Sequence, residues 1–520
     1  MTIATVCILT SGTGSRLQNY TKNKNKSLLS LKKESILSKI FKNFPIKTKF
    51  IISTGYKSQQ VKDFVKIHHP ELDVNFVEIK NFNGKKSGPA FSLYKCKKYL
   101  QKPFFFVSCD TIWKKKIDNF QFFNWMGVYN SKQLKSEDYC SLISKNNNIV
   151  RIFDKKKISN KKKTNIFVGL AFIKDYRLFW GGFDFSSIKE PQVSMGFQNL
   201  LNSKKKIKTV NIDWEDSGTK EKYENLIVKH EKYNFNKENQ QIYISNSKVT
   251  KYFDNKKIVK NLFKKALIKK KVFPKNMKMK NNFISYNFIE GKTMYNFYDK
   301  QNFKLLLKFL EKNLWNENFK KTKKFTKDCQ NFYYHKTHER IKRFLKNNRS
   351  LENPNIFYRR LKIKGLKEIL NKIDWKYLCN GLPQFIHGDL QFDNILMNRK
   401  KEFKLIDWRQ SFGKSVRVGD QYYDFAKLLG GLEINYDLIK KNRFDYELNK
   451  ENVKLKIPKR KNTQNLIICL EKFLNKRKFD LKKVRILTGL IFLNMSPLHH
   501  KPFDKLLFIY GKYYLQKNLF

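Results

Sequence analysis

The chain has 520 residues, 41% of them hydrophobic, enough for roughly two to four domains with cores of their own. Its formal charge of +65 would by itself suggest a nucleic acid or an anionic surface. However, Arg supplies only 15 of the 109 basic residues, and Lys is abundant alongside Asn, Ile, Phe and Tyr, all with A/T-rich codons. The excess therefore reads as base composition and solvated lysines, including Lys155-Lys156-Lys157 and Lys161-Lys162-Lys163. No nucleic-acid partner is expected. No run of about 18 apolar residues is present, so no membrane span is expected. The N-terminus enters a strand at once without a basic leader. The seven Cys stand singly with no CxxC spacing, which points to the cytoplasm.

Thr5-Val6-Cys7-Ile8-Leu9 is a short buried-strand pattern. It runs into Thr10-Ser11-Gly12-Thr13-Gly14-Ser15-Arg16-Leu17, where Gly12 and Gly14 let backbone N–H groups approach phosphates and Arg16 adds charge. Leu17 stands where a dinucleotide fingerprint has its third Gly, and no Gly-Lys-Ser/Thr follows as in a Walker loop. Strand and helix patterns then alternate. Phe50-Ile51-Ile52-Ser53-Thr54 is a strand, residues 59–67 have a helical period, and residues 74–79 form another strand. Ser87-Gly88-Pro89 opens a helix. Phe104-Phe105-Phe106-Val107-Ser108-Cys109-Asp110 is a strand ending in a carboxylate. Val168-Gly169-Leu170-Ala171-Phe172-Ile173 is a later strand, and Asp213-Trp214-Glu215-Asp216-Ser217-Gly218-Thr219 closes the pattern.

In this order the segments resemble the sugar-phosphate and choline-phosphate nucleotidyltransferases. The match rests on a Gly-x-Arg-Leu loop, then Asn25-Lys26-Ser27-Leu28-Leu29-Ser30, then a Trp-x-Asp-x-Gly-Thr element. Ser27 and Ser30 replace the family's small residue and proline. The resemblance implies that Arg16 and Lys26 meet substrate phosphates, that Gly12, Gly14 and Gly88 lie against the nucleotide, and that Asp110 and Asp216 hold Mg²⁺. Glu190-Pro191-Gln192 reads either as a helix N-terminus or as a contact with the acceptor's organic part.

A polar stretch over 228–242 places a domain join near residue 230. Beyond it, residues 242–253 read as a hairpin carrying Lys251, followed by a helical pattern over 257–270 that contains no acid. Phe283-Ile284-Ser285-Tyr286-Asn287-Phe288-Ile289-Glu290-Gly291 reads as a strand and connection, and the remainder is mainly helical. The most informative stretch is Phe385-Ile386-His387-Gly388-Asp389-Leu390-Gln391-Phe392-Asp393-Asn394, then Leu405-Ile406-Asp407-Trp408 and Gly419-Asp420 to Asp424. Two strands and their turns would bring a carboxylate base and two oxygen ligands together, as phosphoryl transfer from ATP requires.

This stretch resembles the aminoglycoside phosphotransferase and choline kinase family, relatives of the protein kinases. The resemblance implies Asp389 as base, Asn394 and Asp407 as Mg²⁺ ligands, Lys251 on the ATP phosphates and Glu290 in the segment that meets adenine. Kinase-like folds usually pair the strand Lys with a helical Glu, which is missing here. Asp420 and Asp424 are read as braces.

The expected architecture is an α/β nucleotidyltransferase with a Rossmann-like mixed sheet over 1–230. An α+β two-lobed protein-kinase-like domain follows over 231–520, its N-lobe at about 235–290 and its C-lobe at about 291–520. The implied activity is bifunctional. ATP phosphorylates a small alcohol, and the phosphorylated product is joined to an NTP, choline to CDP-choline with CTP being the leading expectation, for surface-glycan decoration. Trp315, Trp408, Tyr422 and Tyr423 are candidates for a choline cage. The alternatives are a sugar kinase with a sugar-1-phosphate nucleotidylyltransferase, and a non-catalytic basic scaffold.

Overall fold

The computed structural model describes residues 4–84, 87–117, 123–130, 134, 136–154, 165–186, 191–230, 239–245, 247–352 and 356–520. Glu190 and both lysine triplets lie outside the described residues. The chain divides into two compact units, the first Met1–Lys256 with Lys278–Ser285, the second Lys257–Met277 with Tyr286–Phe520.

The first unit is built on a nine-stranded mixed sheet in the order Asp73–Glu78, Lys49–Thr54, Thr5–Leu9, Phe104–Ser108, Asn165–Ile173, Asn124–Asn130, Ile207–Asn211, Asn148–Asp154, Cys140–Lys145. The first four strands are parallel, and Asn165–Ile173 joins antiparallel to Phe104–Ser108. This is the mixed α/β sheet expected from the alternating patterns. The apolar runs are continuous because both faces are covered. Val6, Ile8, Phe105 and Val107 enter one core, while Cys7, Leu9, Phe104 and Phe106 enter the other.

The join was expected near residue 230, next to residues 231–238, which lie outside the described residues. The structure instead keeps the hairpin Gln240–Ser245 and Lys248–Phe253 in the first unit, together with Lys278–Lys280 and residues 283–285. The reason is apolar burial. Tyr243, Tyr252 and Phe283 belong to the same core as Phe64, and the Tyr243–Phe64 ring centroids are 4.8 Å apart. The Tyr243 hydroxyl donates to Leu28 O at 2.7 Å, and His68 Nδ1 lies 2.8 Å from Thr250 Oγ1. The strands assigned by pattern to a separate N-lobe thus complete the first unit.

The second unit is mainly helical. A small sheet joins Lys292–Thr293, Ile395–Met397 and Phe403–Leu405. Its centre is the helix Leu481–Met495, packed between Gln421–Glu433 and Phe503–Leu519. These helices are apolar nearly all round, as fits buried elements. Gly489 lets two of them approach closely, since a Cβ there would stand 2.7 Å from Leu515 Cγ.

Truncating Tyr243 tests the hairpin's assignment. Tyr243→Ala removes a fully buried ring and its hydrogen bond, and should destabilise the first unit by about 3–5 kcal/mol. Urea unfolding followed by hydrogen exchange of the strands Thr5–Leu9 and Lys49–Thr54 reads this out. Unchanged protection there would show that the hairpin does not belong to this core.

Candidate functional site

In the first unit, Thr5–Leu9 lies between Lys49–Thr54 and Phe104–Ser108, so the strand order reverses between Thr5–Leu9 and Phe104–Ser108. Open α/β sheets bind ligands at the carboxyl ends of strands at such a switch point. Leu9 is paired with Ser108, so the glycine loop and Asp110 leave the sheet side by side. Gly14 adopts φ 66°, and a Cβ there would meet Thr21 Cγ2 at 3.1 Å and Lys26 Cβ at 3.3 Å. The space beside Gly12 is open. A Cβ on Gly88 would come within 2.9 Å of Pro191 O. Asn25 holds the segment that carries Lys26. Its Oδ1 accepts from Ser27 N at 3.0 Å, and its Nδ2 donates to Thr10 O at 2.9 Å and Tyr56 O at 2.7 Å.

Lys26 Nζ meets Asp110 Oδ2 at 2.5 Å. Burial alone would lower the lysine's pKa and raise the carboxyl's. Their mutual charge and hydrogen bond prevail, so Lys26 titrates above and Asp110 below its usual range. Asp216 arrives through strand register: Trp214–Asp216 pairs antiparallel with Thr111–Trp113, with Asp216 opposite Thr111. A Cβ added to Gly218 would lie 2.9 Å from Asp216 Oδ1 and 3.3 Å from Asp110 Oδ2. Both carboxylates therefore flank one point, which a side chain at 218 would fill. Gly218 N donates to Asp216 Oδ1 at 2.7 Å.

Pattern reading missed two groups at this point. The Tyr139 hydroxyl donates to Asp216 Oδ2 at 2.7 Å, and Lys222 Nζ lies 2.9 Å from the same oxygen. Burial, with the Asp216 charge behind it, pushes the Tyr139 phenol up to about 12. Neither residue sits in a recognisable motif; Lys222 adjoins Tyr223, the only signal nearby. Arg16, Asp110, Asp154, Tyr139, Trp214 and Asp216 line a cavity of about 180 Å³. A pair of converging carboxylates with cations beside it suits Mg²⁺, a hard cation that takes oxygen ligands and keeps several waters.

The second unit places the other predicted set. Ile395–Met397 pairs with Phe403–Leu405, Ile395 opposite Leu405, so Asn394 and Asp407 lie at the same end of this ribbon. Ile406 N donates to Asn394 O at 2.8 Å. Asn394 Nδ2 donates to Asp389 O at 2.8 Å, which turns its Oδ1 away as an acceptor. Asp407 takes φ 58° and is exposed. These oxygens also suit Mg²⁺.

The loop that carries Asp389 is braced from below. Asp424 accepts from His387 N and Gly388 N, both at 2.8 Å, and from Trp315 Nε1 at 3.0 Å. Asp420 caps its helix and accepts from Leu382 N at 2.9 Å and the Tyr333 hydroxyl at 2.7 Å. Gly388, at φ 82°, leaves room for Arg409 Cβ, which a Cβ on residue 388 would meet at 2.8 Å. His387 Nδ1 accepts from Asp389 N at 3.2 Å, so Nε2 carries the hydrogen donated to Ile406 O at 2.9 Å. Burial depresses this imidazole to about 3.

Asp389 is itself paired. Lys427 Nζ lies 2.8 Å from its Oδ1. Burial would raise the Asp389 carboxyl, but Lys427 holds it below its usual range; burial would lower Lys427, and Asp389 raises it. Lys265, on the helix Lys256–Ile268, is buried and donates to Arg409 O at 2.9 Å. Lys251 is buried in the first unit, opposite Ile242. Glu290 is exposed in the second, just before Lys292–Thr293. Among the cage candidates, Trp408 is buried and donates to Leu262 O at 3.0 Å, and Trp315 is buried against Phe425.

No family model matches the sequence, and no curated protein matches it. Among solved structures the chain is similar to the inositol-1-phosphate CTP transferase from T. maritima, at 16% identity over 44% of this chain and 96% of that one, with a TM-score of 0.35. It is also similar to the CTP:phosphocholine cytidylyltransferase from Streptococcus pneumoniae, at 15% identity over 43% and 98% and a TM-score of 0.37. A third is a UDP-glucose pyrophosphorylase complexed with UDP-glucose, at 12% identity over 45% and 100%, with a TM-score of 0.38.

The buried neutral His387 makes a pH prediction. It titrates near 3 in the fold and near about 6.5 when unfolded. The unfolded chain therefore binds more protons between those values, and stability falls as pH drops from about 6.5 towards 3. His387→Asn should flatten this part of the curve, read from urea midpoints of the second unit at successive pH values. An unchanged slope would show that other groups carry the acid sensitivity.

Proposed function

We propose that the chain activates a small alcohol in two steps, phosphorylation by ATP in the second unit and nucleotidyl transfer in the first. The observation that supports this most strongly is the recurrence, in one chain, of two sets of oxygen groups: Asp110 and Asp216, paired with Lys26 and Lys222, and Asn394 and Asp407 at one end of a ribbon, with Asp389, held by Lys427, beside Asn394.

In the first step, the acceptor oxygen attacks the γ-phosphorus, the bond to the β–γ bridging oxygen breaks, ADP leaves, and Asp389 takes the hydroxyl proton. His387 and Asp424 hold the loop so that Asp389 keeps its place. In the second step, the new phosphate attacks the α-phosphorus of an NTP, and pyrophosphate leaves. Lys26 is poised to exchange Asp110 for a substrate phosphate, and Arg16 adds charge to the same cavity. Mg²⁺ at either oxygen set would neutralise phosphate charge and align the groups in line. Glu290 is assigned a place near adenine, and Lys251, which belongs to the first unit, is not assigned to the ATP phosphates.

The resemblances favoured choline and CTP. A quaternary ammonium needs accessible aromatic faces, and Trp315 and Trp408 are committed to the core by their indole hydrogen bonds. The sugar alternative draws support from the first unit's cavity, where Asp154 and Tyr139 offer acceptors and donors suited to hydroxyls. The reaction class is the same in both, an NDP-linked product made from an alcohol.

Two single substitutions should separate the steps. Asp389→Asn should cut phosphorylation about a hundredfold to ten-thousandfold while leaving supplied X-phosphate convertible to NDP-X. Asp110→Asn should let X-phosphate accumulate. Mixing the two proteins should restore NDP-X by diffusion of X-phosphate, and EDTA should stop both steps. Nucleotide chromatograms read all arms. Loss of both partial reactions in either folded variant would show that the steps share one site.

A further inference from the structure

The carboxylate of Asp389 has two unlike sides. Its Oδ2 lies towards Asn394, 3.4 Å from Nδ2, on the side of the proposed metal ligands. Its Oδ1 faces Lys427, and beyond Lys427 lies a group of cations that the phosphoryl-transfer scheme does not use. Lys336 Nζ stands 3.1 Å from the centroid of the Phe332 ring, and Arg409 Cζ stands 4.7 Å from the same centroid. Lys336 also lies 5.8 Å from the centroid of Tyr423. Arg340 is close by, its Nη1 donating to Asn494 O at 3.1 Å. Lys336, Arg340, Tyr423 and Asn494 line one small cavity of about 20 Å³, to which Arg409 and Lys427 do not contribute.

This gathering is not a solvated lysine face. Lys336, Arg340 and Arg409 are all partly buried. Among the described residues, no carboxylate forms an ion pair with any of them; the acid that acts on Lys336 is Asp389, already engaged by Lys427. Burial comes first and the charges of Arg409, Arg340 and Lys427 next in driving the Lys336 pKa well below its usual value. Like charges held together out of water are costly unless an anion joins them. The local backbone is unusual too. Asn331–His335 forms a π-helical turn between two α-helices, a feature often found at functional sites, and it sets Phe332 and Lys336 in place.

We infer that the Oδ1 side of Asp389 binds an anionic group of the acceptor, so the alcohol phosphorylated is a hydroxy acid or an already phosphorylated alcohol. This rests on the kinase reading of the second unit. Lys336 and Arg409 would hold the carboxylate or phosphate, while Lys427 keeps the Asp389 carboxylate oriented towards the attacking hydroxyl. A cationic alcohol would meet charges of its own sign there.

The test uses the full chain. Binding of glycerate and of inorganic phosphate is measured by calorimetry at fixed salt, on the native protein, Lys336→Met, Arg409→Met and the exposed control Lys367→Met. A charge-assisted hydrogen bond lost from a site costs about ten- to a hundredfold in affinity. The first two variants should weaken one or both probes by that factor, and Lys367→Met should not. Lys336→Arg, which keeps the charge, should retain binding and guards against misfolding as the cause. Glycerate and phosphate tell the two anion chemistries apart. Equal affinity across all proteins would overturn the site, and loss of Mg-ATP affinity with the probes unaffected would reassign the cations to the nucleotide. ADP release is then followed with glycerol, glycerate, glycerol phosphate and choline. Turnover confined to choline or glycerol would refute an anionic acceptor while leaving the kinase reading standing. No turnover with any acceptor would sink that reading and the acceptor assignment with it.

Discussion

A carboxylate held out of water must be answered by a cation or by N–H groups, and both candidate sites are organised by that requirement. Asp110 is answered by Lys26. Asp216 is answered by Gly218 N, Tyr139 and Lys222. Asp389 is answered by Lys427, and Asp424 by two backbone N–H groups and an indole. Apart from Gly218 N and Lys222, which lie close to Asp216 in sequence, each answer comes from a distant part of the chain. The fold therefore has to be complete before the charges are tolerable, which couples the assembly of each unit to the assembly of its site.

The same requirement gives meaning to the chain's excess of positive charge. Most of its 109 basic residues have no acid to meet, since there are only 44. On a solvated surface that costs little, because water and salt screen it. Lys265, Lys336 and Lys427 differ because they are drawn inward. Lys427 finds Asp389 and Lys265 finds a carbonyl. Lys336 finds an aromatic face, which offers much less than a counter-ion. It is this unequal settlement, and not the net charge, that sets these three lysines apart from the compositional bias.

The two units also solve a positioning problem in different ways. In the first, strand register does the work: parallel strands deliver the glycine loop and Asp110 together, and a short antiparallel ribbon sets Asp216 beside them. In the second, a two-stranded ribbon carries Asn394 and Asp407, and a buried helix supplies Asp424 and Lys427 from one side. Strand ends fix backbone positions well, and a rigid helix fixes the supporting charges, so neither site depends on a loop alone.

The sequence by itself determined the alternation of strands and helices in the first unit, the glycine loop, and the order of the carboxylates at each candidate site. These are local facts. Apolar runs, a glycine needing positive φ, and acids at strand ends can be read from neighbours in the chain. Tertiary structure alone decided the rest. The strands Gln240–Ser245 and Lys248–Phe253 belong to the first unit because Tyr243 and Tyr252 share a core with Phe64, a choice invisible to a pattern of period two. Tyr139 meets Asp216 and Lys427 meets Asp389 because distant segments bring them together, while Lys222 folds back on Asp216 from the next helix and Lys336 comes to rest on the Phe332 ring. In a chain so rich in lysine nothing local sets those few apart; burial next to a particular charge does, and burial is a property of the fold.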